Sequence, residues 1–239
     1  MLIFMVGKLE EGYPVVELWK DPKYKGGSFP YEAHEKGRQD EVDRLMQFEA
    51  VQDITPEKDD TVYDTTWVEE WCGELVRCRL CIRQYNDGYR SDCFSGTPDS
   101  FFVRFQLLKA STNKSRAIMI VDVSVAFMHS PIGDERVVVR VPKGVTSSTG
   151  YWLLLKALNG TRKASQMWTE FSAEKVIGWS ASRNDHNPHI FRIEETDLDI
   201  EQHGDDFVVE GPRDAVVAIR DRFREAFLVK KADIISMDP

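Results

Sequence analysis

The chain has 239 residues, 42% of them hydrophobic, with 13 Phe, 7 Tyr and 6 Trp. That is enough apolar and aromatic material for a sizeable core, and it excludes a disordered chain. The formal net charge of -9 excludes nucleic-acid binding through overall basicity, so any phosphate-binding surface has to be local.

The apolar start Met1–Val6 gives way at once to Gly7-Lys8-Leu9-Glu10-Glu11. It falls far short of the roughly 18 residues of a membrane span, or of a secretory core with its cleavage site. No such stretch occurs elsewhere, so a soluble protein without a membrane partner is expected. Residues 12–37, rich in Gly, Pro, Lys and Tyr, show no clear period, and 1–37 reads as an irregular lead-in. Val42, Leu45, Met46 and Glu49 then predict a helix from about Arg38 to Ala50. Strands are predicted near Thr61–Trp67 and over Leu75–Arg83, followed by a turn at Asn86-Asp87-Gly88.

The cysteines are Cys72, Cys78, Cys81 and Cys93. Cys78 and Cys81 have CxxC spacing, but they lie in an alternating strand where residues three apart face opposite sides. No second CxxC and no HxxxH completes a zinc site. Few cysteines point to a reducing, intracellular setting.

Asp99 can cap a helix whose Phe101, Phe105 and Leu108 form one apolar face. Ala117–Val123 is a continuous apolar run with one carboxylate, Asp122, and reads as a buried strand. Arg136–Val141 and Trp152–Leu155 are further strands, and Ala164, Met167, Trp168 and Phe171 mark a helix. Short strands follow at Phe191–Ile193, Leu198–Ile200 and Phe207–Val209. The last helix runs from about Arg213 to Phe227, with Val216, Ile219, Phe223 and Phe227 inward. The expected fold class is α+β, a mainly antiparallel sheet backed by helices.

Gly204-Asp205-Asp206 lies at a predicted hairpin turn between apolar strands. Taken alone, this composition reads first as a solvated, inert turn. Asp122 changes the weighting, because a carboxylate inside Ile118–Val123 is costly unless paired or bound to a cation. Brought together, the three carboxylates suit a pair of Mg²⁺ ions for in-line phosphoryl or nucleotidyl transfer.

Five segments in order carry a resemblance. Val121-Asp122-Val123-Ser124-Val125-Ala126-Phe127 resembles the first metal motif of copia-type retrotransposon reverse transcriptases. Leu158–Trp168 is similar to that family's next block, and His203-Gly204-Asp205-Asp206-Phe207-Val208-Val209-Glu210-Gly211 to its third. Arg77–Arg83 is similar to the basic fingers strand, and Asn187–Phe191 to the segment before the last catalytic hairpin. Each motif is weak alone; their order and spacing make the match more specific.

The resemblance implies an RNA-directed DNA polymerase with a fingers-like region at 38–116 and a palm-like region at 117–239. It implies that Asp122, Asp205 and Asp206 hold two Mg²⁺ ions, with Mn²⁺ as an alternative, and that the Val123 carbonyl completes a metal shell. Phe127 would lie under the incoming sugar and exclude a 2′-hydroxyl; core packing explains it equally well. Arg79 and Arg83 would reach the triphosphate, with Arg77 on the other face, though a solvated strand face also accounts for them. Gly160 would let the backbone approach the nucleotide. Lys230 or Lys231 would serve as general acid for pyrophosphate, or simply end a helix in solvent.

The implied partners are an RNA or DNA template-primer, dNTPs and the remaining domains of a Pol polyprotein, in a cytoplasmic or nuclear setting. The family's thumb and ribonuclease H domain have no counterpart in the matched segments. The chain departs from the family pattern at His203 and Asn159, where aromatic residues are usual, and at Ser165, where Pro is usual. Two other readings stay open. One is an RNA-dependent RNA polymerase, which shares Gly-Asp-Asp but tends to carry an Asp near the place of Phe127. The other is a non-enzymatic remnant that binds nucleic acid or protein.

Overall fold

A computed structural model describes residues 31–72, 75–85, 93 and 100–236. The predicted Asn86-Asp87-Gly88 turn, the Asp99 cap and most of the lead-in lie outside the described residues. The first elements are α1 (Tyr31–Gln47), β1 (Val51–Asp53), β2 (Val62–Tyr63), β3 (Thr65–Cys72) and β4 (Leu75–Ile82). Next come α2 (Ser100–Thr112), β5 (Arg116–Val123), the short α3 (Ala126–His129), β6 (Val138–Arg140) and β7 (Tyr151–Leu154). The chain continues through α4 (Ala164–Ile177), β8 (Ser182–Arg183), β9 (Ile190–Ile193) and β10 (Leu198–His203). It then runs through β11 (Asp206–Pro212), α5 (Arg213–Ala226) and β12 (Val229–Ser236).

The fold is α+β. Its largest sheet has six strands in the order β12-β5-β11-β10-β9-β8, all antiparallel. β5 is interior because its apolar run can be covered on the back face. Ala117, Met119, Val121 and Val123 point there and are buried against Trp168 and Val176 of α4 and Val216, Ile219 and Phe223 of α5. Side chains of this size each contribute about 1.5–3 kcal/mol when fully buried, so this layer fixes the register of β5 against β11.

The front face of the same sheet is charged where α2 crosses it. Arg116 bonds Glu210 and Asp197. Arg192 spans Asp197 at 2.5 Å and Asp199 at 2.8 Å, and Lys109 of α2 reaches Asp199 at 2.5 Å and Glu210 at 3.1 Å. This corrects the expected orientation of α2. Its buried face centres on Gln106, whose amide donates to the carbonyls of Asp199 at 3.1 Å and Val208 at 3.4 Å. The apolar stripe expected to face the core is turned out, with Phe101 at 70% and Leu108 at 61% exposed.

A second core lies around a four-stranded sheet, β1-β7-β6-β2, and includes Leu45, Leu80, Ile82, Trp152, Leu154 and Leu158. This sheet joins strands from both sides of residue 116, and α2 packs on the six-stranded sheet. β3 and β4 form a separate antiparallel hairpin, with α1 packed on β4.

Other boundaries moved. α1 begins at Tyr31, inside the segment read as irregular. The residues after α5 form β12 rather than a helix end. Cys78 is buried while Cys81 lies on the opposite face of β4, as alternation predicts. Burial pushes the Cys78 thiol up to about 11, which keeps it protonated and inert. Among the described residues no helix is long and apolar enough to cross a membrane.

Candidate functional site

The antiparallel register between β5 and β11 makes Asp122 and Asp206 direct partners. Their side chains leave the same, front face of the sheet, and such partners have Cβ atoms about 4.5–5.5 Å apart. Asp205 occupies the β10–β11 turn, and its carbonyl accepts the Val123 N–H at 3.3 Å. Gly204 precedes it with φ +65°, a left-handed turn conformation suited to glycine. The turn is tied to the back layer by Trp168, whose indole N–H donates to the Gly204 carbonyl at 2.7 Å.

Partial desolvation raises the Asp206 pKa, and the nearby charges of Asp205 and Asp122 push it the same way. The three sequence-predicted carboxylates are thus electrostatic neighbours. Among the described residues no group of three or more His, Cys, Asp or Glu side chains is gathered to hold a metal as it stands. Asp122 is instead engaged by Lys230, whose Nζ lies 3.0 Å from Oδ2. The donors are hard carboxylate oxygens carrying mutual repulsion, which fits Mg²⁺ or Mn²⁺ in chemistry and charge.

Asp205 also lines a cleft of about 550 Å³ between β3/β4 and the α3–α4 region. Arg44, Arg77, Arg79, Phe127, Asn159 and Ser165 are among its other walls. Arg77 was expected on the opposite face from Arg79, but residues two apart on a strand share a face, and both line the cleft. Arg79 pairs with Glu70 at 2.9 Å. Arg83 is not among the cleft-lining residues; its guanidinium bonds the Thr66 hydroxyl at 3.2 Å.

Phe127 packs on the main core and also faces the cleft. It sits on α3, which is entered through Val125 at φ 47°, ψ 43°. A β-branched residue in the left-handed region costs on the order of 1–3 kcal/mol, and this strained turn separates Asp122 from Phe127.

Gly160 makes a different close approach from the one expected. At φ +84° a Cβ there would lie 2.1 Å from the Ile82 carbonyl oxygen. The Ile82 N–H in turn donates to the Asn159 carbonyl at 2.7 Å. Gly160 therefore docks the loop before α4 onto β4, beside the cleft.

Glu41 was missed by sequence reasoning. It is only 2% exposed, lines the cleft and accepts the Leu80 N–H at 3.1 Å. Burial raises its pKa, against the pull of that hydrogen bond and of Arg44, Arg77 and Arg79. The available signal was a charge on the apolar side of α1, one turn before Leu45.

His129 is a core histidine. It packs against Phe48, Trp168 and Phe227, can donate from Nε2 to the Ser124 carbonyl at 3.2 Å, and has its pKa lowered by burial. A scan of protein families finds no match to the chain, and neither does a comparison with curated proteins.

Proposed function

We propose that the chain is the fingers-and-palm part of a copia-type reverse transcriptase, an RNA-directed DNA polymerase that adds deoxynucleotides to a primer 3′-hydroxyl. The observation that carries this reading is the opposition of Asp122 and Asp206, next to a cleft walled by Asp205, Arg77, Arg79 and Phe127. Phosphoryl chemistry needs carboxylates for cations on one side and cationic side chains for phosphates on the other. This site has both.

In the transfer, the primer 3′-oxygen forms a bond to the α-phosphorus and the bond to pyrophosphate breaks. The hydroxyl loses its proton and the leaving pyrophosphate takes one up. Asp122, Asp205 and Asp206, with the Val123 carbonyl, would hold two Mg²⁺ ions, which supply charge neutralisation and a more acidic hydroxyl when bound. Arg77 and Arg79 would bind the triphosphate through charge-assisted hydrogen bonds. Phe127 would close the floor of the sugar site, and an aromatic ring there selects against a 2′-hydroxyl. Template-primer, dNTPs and the remaining domains of a Pol polyprotein are the partners of this reading.

One observation favours a non-enzymatic remnant instead: Asp122 already has a cation, the Lys230 ammonium, at 3.0 Å. Primer extension separates the readings. Extension with dNTPs but not rNTPs supports the reverse transcriptase. Extension with rNTPs points to an RNA polymerase, and extension with neither points to the remnant.

A further inference from the structure

We infer that Lys230 is the resident counter-ion of the carboxylate cluster, and that a divalent cation reaches Asp122 by displacing its ammonium. This rests on the reading of the cluster as a metal centre and adds how that centre is controlled.

The geometry begins with a bulge. In the β5–β12 register Val229 pairs with Val123 and Lys231 with Asp122, so Lys230 is the additional residue between them. A bulge of this kind re-aims a side chain. It brings two consecutive lysines to the edge of Asp122, and they are not equivalent. Lys231, the register partner, is held by Asp233 at 2.5 Å. Lys230, the bulged residue, places its ammonium 3.0 Å from Asp122 Oδ2.

The side chain that fills this position is built to leave it. Lys230 is 67% exposed and Asp122 31%, so the pair is screened and holds weakly. A lysine stem swings into water at little cost. A divalent cation brings twice the charge to the same oxygens, and the two cations repel at this separation. Lys230 therefore keeps the cluster stable without metal and lowers its apparent metal affinity.

The test is Mn²⁺ titration of the full chain, followed by electron paramagnetic resonance of unbound Mn²⁺, for wild type, Lys230→Met, Lys230→Gln, Lys231→Met and Asp122→Asn. Displacement of a half-exposed ion pair, together with the repulsion it removes, predicts about three- to tenfold tighter Mn²⁺ binding in both Lys230 variants. Lys231→Met shifts it less than twofold, and Asp122→Asn weakens it at least tenfold. Unchanged or weaker binding in the Lys230 variants, with Asp122→Asn still disruptive, overturns the counter-ion role and leaves the metal centre standing. Binding that ignores Asp122→Asn, or no binding in any variant, overturns the metal centre and this inference with it.

Discussion

Asp122 and Asp206 stand directly opposite each other across β5 and β11. Like charges in that relationship disfavour the fold, and the site offsets part of the cost with Lys230. The proposed metal-binding role would account for keeping these residues despite that cost.

The cleft wall gives the first prediction. Arg77→Ala and Arg79→Ala each remove a charge from it, and hydrogen bonds of that type contribute about 1.5–3 kcal/mol. Each change should raise the dNTP KM by roughly tenfold or more. Arg83→Ala, whose guanidinium sits on Thr66, should change KM by less than about twofold. Steady-state primer extension reads all three.

Gly160→Ala tests the docking of the α4 approach onto β4. A Cβ 2.1 Å from the Ile82 carbonyl, on a residue at positive φ, should destabilise the fold by about 2 kcal/mol or more. Urea unfolding is the measurement. A change within about 0.5 kcal/mol would mean that the loop relaxes without cost.

Trp168→Phe keeps most of the buried ring but removes the N–H that holds the Gly204 carbonyl. The expected loss of stability is about 1–2 kcal/mol. The expected loss of extension rate is larger, about a thousandfold or roughly 4 kcal/mol, because the turn carrying Asp205 loses its tether. Loss of both in equal measure would make the contact purely structural.

The pH dependence of folding has a definite sign at Asp197. The Arg116 hydrogen bond, with Arg192 adding to it, lowers this carboxyl from 3.8 to about 2. A depressed carboxylate stabilises the fold above its unfolded pKa, and that contribution is lost as pH falls through the folded value. Asp197→Asn should therefore lower stability at neutral pH, with the gap to wild type closing between about pH 4 and pH 2. Denaturant midpoints across that range measure it.

The parts of this fold that were legible in the sequence are those where one environment acts on a whole element. β5 was readable because its apolar run ends at a lone Asp122, and α5 because Val216, Ile219 and Phe223 repeat on one face. α2 misled for a physical reason. Its apolar stripe suggested a core face, but the sheet beneath presents Asp199 and Glu210, so the helix buries Gln106 and lays the partly exposed Lys109 on those carboxylates instead. β12 was hidden by its bulge, which places Lys230 and Lys231 in succession and breaks the alternation that marks a strand. Arg77 was misplaced although strand parity alone assigns it to the face of Arg79. The carboxylate motif was visible as spacing; its ion pair with Lys230 required the tertiary register.

The most direct test of the central claim is primer extension in Mg²⁺ by the wild-type chain and by Asp205→Asn. The account predicts dNTP-dependent extension by the wild type and a fall of about a thousandfold in the variant. Extension that survives Asp205→Asn would contradict the assignment of Asp122, Asp205 and Asp206 as the metal-binding carboxylates.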